Sequence, residues 1–206
     1  MSRMLQRYSD SERMNHWLIA LMFVLAGLSG LAFFHPSFYF FTHLFGGGQW
    51  ARILHPFLGV VMFLAFLVMF FRLWRDNVLN DADREWRQHA GEMLRGDKSK
   101  MPPVGKYNFG QKMVFWLMAL SLVVMLVTGF MFWAPWFTGA FPVGLQRAAV
   151  LLHAVAAVVL ILAVVVHVYA AIWVHGTVRA MTRGTVTEAW ARQNHALWHR
   201  KMTEGK

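Results

Sequence analysis

Four apolar runs, at about residues 14–34, 53–73, 113–133 and 148–174, decide what this chain can fold into. As helices, each is long enough to cross a bilayer whose hydrocarbon core is about 30 Å thick. In hydrocarbon no water is present to satisfy backbone N–H and C=O groups, and a helix satisfies its own. The expected fold class is therefore all-α: an integral membrane four-helix bundle, one domain over residues 1–206, with a cytoplasmic loop and an amphipathic C-terminal helix. A chain that is 57% hydrophobic and 15% charged fits that class and not a soluble domain. The first run is too long for the core of a cleaved signal peptide. The bulky "FFHPSFYFF" that follows it offers no cleavage site.

Charge orients the spans. Of the 20 Lys and Arg, all but Arg52 and Arg147 lie in the N-terminal segment, in the central loop from Arg72 to Lys112, or in the tail from Arg179 to Lys206. The segments 35–50 and 134–145 carry no Lys, Arg, Asp or Glu. The positive-inside rule then puts both termini and the central loop in the cytoplasm, so the expected topology is N-in/C-in. The net charge of +10 belongs to that topology and to anionic membrane lipid, not to nucleic acid. "SDSE" predicts a capping box, Ser9 with Glu12, starting helix 1. Residues 81–94 read as a short interfacial helix. Residues 95–112, with Pro102 and Pro103, read as irregular. Within the cytoplasmic tail of about 176–206, "VTEAWARQNHALWHRKM" reads as one amphipathic surface helix with Trp190 and Trp198 at the lipid interface. No convincing long repeat is visible.

With no cysteine in the chain, redox or metal chemistry must rest on histidine. Six of the ten histidines, His35, His43, His89, His175, His195 and His199, fall in loops or tails where a solvated ring needs no explanation. The other four sit in or beside spans: His16, His55, His153 and His167. A titratable group at membrane depth is costly and marks function. His153 and His167 are 14 residues apart; at about 100° per residue they share a face, with a rise of about 21 Å. Helix direction sorts the four by depth into His16 with His167 near the inside and His55 with His153 near the outside. Two histidines from neighbouring helices at one level suit axial ligation of a haem iron from both sides, a closed site made for electron transfer. Two b haems are expected, non-covalently held because no Cys-x-x-Cys-His exists. Small residues one turn after each ligand, Ala20, Gly59, Ala157 and Ala171, offer room for the macrocycle. Arg52 and Arg147, at outer helix mouths, are placed to meet haem propionates. Zinc is disfavoured, because without cysteine or intramembrane carboxylates a four-ligand site is hard to complete.

The segments "RILHPFLG", "VGKYNFGQKMVFW", "VTGFMFW", "LLHAVAAVVLILAVVVHVYAAIWVHGTVRAM" and "TEAWARQNHALW" together resemble the gamma subunit, cytochrome b556, of bacterial membrane-bound respiratory formate dehydrogenases. The resemblance runs in order from about residue 7 to 200. It implies the same ligand pairs, and it adds a menaquinone site at His167, Asn108 and Gly110, with Gln111 beside them. It also implies an iron–sulfur beta subunit and a catalytic alpha subunit as partners, with the formate-oxidising site on the latter. Read by itself, "GKYNFGQK" agrees with a quinone mouth: glycine lets backbone amides approach a ligand, and Asn108 both donates and accepts. Two alternatives stand beside this reading. One is the cytochrome b subunit of a hydrogenase or another periplasmic oxidoreductase. The other is a haem-free transporter or scaffold whose histidines relay protons.

Overall fold

The structure, a computed structural model, describes residues 3–89, 91–92, 95 and 101–204. Four long helices account for the four apolar runs: α1 (Asp10–Phe34), α2 (Gly48–Leu73), and, beyond the short α3 (Asp81–Gln88), α4 (Phe109–Phe132) and α5 (Val143–Trp173). Each is long and apolar enough to cross a membrane. Each also starts before its apolar run: Asp10 against 14, Gly48 against 53, Phe109 against 113 and Val143 against 148. Side-chain caps or water serve the free N–H groups of a first turn, so that turn needs no apolar residues. At α1 the cap is the expected box, with Ser9 N donating to Glu12 at 2.7 Å and Glu12 N to Ser9 Oγ at 3.3 Å. A 3-10 segment, Pro36–Phe45, joins α1 to α2.

The chain divides into two compact units, Met14–Phe70 with Leu117–Val166, and Met1–Arg13 with Phe71–Trp116 and His167–Lys206. In the first, Met62, Phe66, Ala119, Leu122 and Leu160 form the buried core. Buried small residues, Ala26, Ser29 and Ala32 on α1 and Ala149, Ala156 and Ala163 on α5, let helices approach closely. Leu21, Leu120 and Leu162 are exposed, as outward residues in a lipid solvent can be.

The second unit joins the two ends of the chain. Strand β1 (Met4–Gln6) pairs antiparallel with β2 (Thr185–Thr187) in the register Leu5↔Val186, and both of those side chains enter a core with Tyr8, Ala180, Trp190, Ala191 and Trp198. Just before β2, Gly184 closes the short α6 (Thr177–Arg183) at φ +75°, and a Cβ there would lie 2.7 Å from the Tyr8 carbonyl oxygen. Only glycine combines that backbone with that approach. α3 opens on a capping box between Asn80 and Asp83, and Asp83 also pairs with Lys112 at 2.7 Å, both side chains being buried.

Two expectations change here. The tail is not one surface helix: after β2 it forms α7 (Glu188–Asn194) and α8 (Ala196–Glu204), broken at His195. Trp190 and Trp198 are each 8% exposed and belong to the unit's core instead of lying at a lipid interface. The Thr187 hydroxyl caps α7 by accepting from Trp190 N at 3.2 Å, which turns the chain inward. The interfacial helix is helical over Asp81–Gln88; residues 90, 93 and 94 of that segment and 96–100 of the following loop lie outside the described residues.

Candidate functional site

His55 on α2 and His153 on α5 come together, with ring centroids 6.3 Å apart. Two imidazoles sharing one metal need about 2 Å of bond each plus about 1 Å from nitrogen to ring centre, or about 6 Å in all. The separation therefore fits a bis-histidine iron. Both rings are also engaged at their other nitrogen. Ser29 Oγ on α1 lies 2.8 Å from His55 Nδ1, and Thr128 Oγ1 on α4 lies 3.0 Å from His153 Nδ1. A glycine follows each hydroxyl residue, and a Cβ on Gly30 or Gly129 would come within 3.2 Å or 3.4 Å of the Cε1 of His55 or His153. Phe33 and Phe132 meet the two rings edge-on.

Sequence reasoning singled out the two histidines and missed these six neighbours. The small residues it chose, one turn after each ligand on the same helix, are not the ones that meet the rings of His55 and His153. The missed signal is the pair "SG" on α1 and "TG" on α4, 26 and 25 residues before their histidines. Each pair of consecutive spans thus repeats one arrangement, a repeat too sparse to stand out in the sequence.

Of the arginines assigned to propionates, Arg52 lines a cavity of about 440 Å³ with Phe33, Tyr39, Gly48, Gln49 and Ile53. Arg147 is exposed near the start of α5 and is not among its walls. His16 lies half-buried on α1 in the first unit, its ring 5.4 Å from that of Trp17. His167 lies exposed on α5 where the second unit begins.

The loop leading into α4 is held from both chain ends. Arg7 donates to the Lys106 carbonyl at 2.6 Å, Tyr8 hydroxyl to Tyr107 hydroxyl at 3.0 Å, His195 Nδ1 to the Gly105 carbonyl at 2.9 Å, and Leu197 N to the Val104 carbonyl at 3.1 Å. Arg7 is buried among the rings of Tyr8, Tyr107, Trp190 and Trp198, 4.9–5.9 Å from their centroids. A guanidinium enclosed this way recovers some of its lost hydration through ring quadrupoles. His195, expected as a solvated tail residue, is 2% exposed. Burial and the neighbouring Arg7 charge hold its pKa down at about 3, against a weaker opposing effect of the Gly105 carbonyl. It is neutral at physiological pH, so Nε2 can accept from Arg7, 3.3 Å away. Burial, with Tyr8 next, raises the Tyr107 phenol well above its ordinary range.

Asn108 and Gln111 form a third capping box, with Gln111 N donating to Asn108 Oδ1 at 2.9 Å and Asn108 N to Gln111 Oε1 at 3.0 Å. The Asn108 amide nitrogen takes no part in that pair. Gly110 stands where a Cβ would contact Asn108 and Trp86 at ordinary distance, so its conformation does not demand glycine.

The family model of prokaryotic cytochrome b561 matches residues 7–184. The cytochrome b556(fdo) subunit of formate dehydrogenase from Escherichia coli K12 is 47% identical over 203 residues, covering 97% of this chain and 95% of that protein. The cytochrome b556(Fdn) subunit of the nitrate-inducible formate dehydrogenase of the same strain is 39% identical over 205 residues, covering 100% and 94%. The cytochrome b556 subunit of the Haemophilus influenzae formate dehydrogenase is 37% identical over 200 residues, covering 97% and 84%.

Proposed function

This chain belongs to the prokaryotic cytochrome b561 family, among the cytochrome b556 subunits of formate dehydrogenases, and from that premise we propose that it is the di-haem anchor through which formate oxidation reaches menaquinone. The coarse part follows from membership: it is a multi-pass cytochrome b of the bacterial inner membrane that associates with formate dehydrogenase subunits. The finer reading has four parts. His55 and His153 hold an outer haem, and His16 and His167 an inner one. An iron–sulfur subunit facing the periplasm delivers electrons on the outer side. Menaquinone is reduced near the cytoplasmic face, with both termini on that side. Formate is oxidised on a separate catalytic subunit, because this chain lacks the ligands for such a centre.

The observation that carries the reading is the 6.3 Å approach of the His55 and His153 rings, each with Nδ1 already bound to a hydroxyl. Haem b, when bound, supplies one-electron transfer at a closed iron. The protein's contribution is position: two helices set the rings and their partners orient them. Arg52, at the wall of the cavity beside Phe33, is the better placed of the two arginines for a propionate. For the quinone, Asn108, Gly110, Gln111 and His167 all belong to one compact unit, and the Asn108 amide nitrogen, which the capping pair does not use, is a donor suited to a quinone carbonyl.

The test is a pyridine haemochrome assay on the purified complex. Two b haems per chain are expected, falling to one in His55→Ala or His153→Ala, with the quinone-proximal haem kept. One haem or none in the unaltered protein would end the pairing scheme. Loss of the quinone-proximal haem instead would show the two depths to be reversed.

A further inference from the structure

We infer that Ser29 and Thr128 are positioning residues that accept a hydrogen bond from Nδ1–H of His55 and His153 and thereby leave each Nε2 lone pair free for the outer haem iron. The inference rests on the ligand assignment above.

Proton counting carries it. A hydroxyl has one proton to give. Ser29 Oγ lies 3.0 Å from both the Leu25 and Ala26 carbonyl oxygens, and Thr128 Oγ1 lies 2.7 Å from the Val124 carbonyl oxygen. With the proton directed back into its own helix, each hydroxyl turns a lone pair to the ring at 2.8 Å or 3.0 Å. A neutral imidazole carries one N–H, and if that proton sits on Nδ1 the Nε2 lone pair is free to ligate. The opposite arrangement, hydroxyl donating to Nδ1, would leave the proton on Nε2 and close it to a metal.

Serine and threonine inside membrane helices often bond back to the preceding turn, and that habit alone would explain one hydroxyl. It does not explain why both meet a histidine of the same pair, or why a glycine follows each one against the ring's Cε1. Ser29 is 0% and Thr128 4% exposed, so water does not compete for the hydroxyl lone pairs. The hydroxyl fixes the tautomer and the glycine gives the ring its place. An acceptor on the far nitrogen also raises ligand basicity, which favours ferric over ferrous iron.

Ser29→Ala, Thr128→Val and Thr128→Ser, each in the assembled complex in mild detergent, test this. Thr128→Val keeps the volume and removes the hydroxyl, while Thr128→Ser keeps the hydroxyl and loses a methyl. Ser29→Ala and Thr128→Val should raise the midpoint potential of one haem, move its low-spin electron paramagnetic resonance signature, and weaken its retention against an apo-globin acceptor about tenfold. The second haem should not move, and Thr128→Ser should resemble the unaltered protein in all three measurements. Unchanged potential and resonance in both hydroxyl-free variants would overturn the inference, and so would Thr128→Ser behaving like Thr128→Val. If His55→Ala and His153→Ala retain the full haem complement, the ligand assignment fails first and this inference falls with it.

Discussion

Asp83→Ala should undock α3. In the native chain Lys112 Nζ donates to Asp83 at 2.7 Å and to the Val78 carbonyl at 3.0 Å, with the two charged side chains 4% and 6% exposed. Removing the carboxylate leaves a buried ammonium on one neutral acceptor, a loss of about 3–5 kcal/mol. The same change strips Asn80 N of its 2.7 Å acceptor, adding about 1 kcal/mol. A total of about 4–6 kcal/mol is three to four decades in an opening equilibrium at about 1.4 kcal/mol per decade. An eight-residue helix has no stability of its own to offset that. Hydrogen–deuterium exchange in detergent, followed on peptides covering Asp81–Gln88, should show protection lost by at least about a hundredfold, while peptides from the α1 and α2 core stay protected. Lys112→Met added to Asp83→Ala removes the stranded charge and should restore much of the protection, since an apolar replacement of a buried pair is often neutral. Unaltered exchange of α3 in Asp83→Ala would refute the assignment of this pair as the clamp.

Other outcomes follow from the same structure. His195 is neutral in the fold, with a pKa of about 3, while its ordinary value is 6.5; below 6.5 the unfolded chain takes up a proton that the folded chain refuses. Stability of the second unit should therefore fall with acidification from about pH 6.5 toward 3, by about 1.4 kcal/mol per pH unit, as read by exchange of the 188–204 segment. His195→Gln should flatten that dependence, and an equal slope in the variant would assign it elsewhere. Gly30→Ala should cost more outer haem than Gly129→Ala, because its Cβ would lie 3.2 Å instead of 3.4 Å from a ligand ring; the pyridine haemochrome yields would contradict this if the order were reversed. Asn108→Ala should leave both haems reducible by formate and slow reoxidation by a menaquinone analogue about tenfold, the factor that 1.4 kcal/mol implies. Asn108→Asp, which keeps the capping oxygen and loses the amide donor, should be slowed as well if the contact is with the quinone; normal reoxidation in both would place the site elsewhere.

The four spans were legible because hydrocarbon imposes one rule on every residue, and a run of about twenty apolar side chains obeys it visibly. The capping box at Ser9 and Glu12 was legible for a similar reason, being a local exchange of two bonds. His55 and His153 could be paired because helix direction fixes depth. What supports their rings could not: Ser29 and Gly30 look like ordinary small residues until the fold sets α1 beside α2. The tail misled for the opposite reason. Trp190 and Trp198 have the spacing of an amphipathic face, and that pattern is the same whether the face meets lipid or protein. The partner that decided it, Leu5 and Tyr8, is encoded more than 180 residues earlier.

That separation has a consequence for how the chain is made. β2 leaves the ribosome about 180 residues after β1, roughly 10–40 s later at ordinary rates of synthesis. During that interval Leu5 and Tyr8 have no core to enter, and the edge of β1 is open to chaperones or to premature partners. The spans can be inserted one after another meanwhile. The strand pair closes only when residues 185–187 arrive, and with it the pocket for Arg7 and the grip on the Gly105–Tyr107 loop. A chain cut short before that point would carry its membrane helices and lack the brace on the loop into α4, so the brace depends on synthesis having passed residue 187.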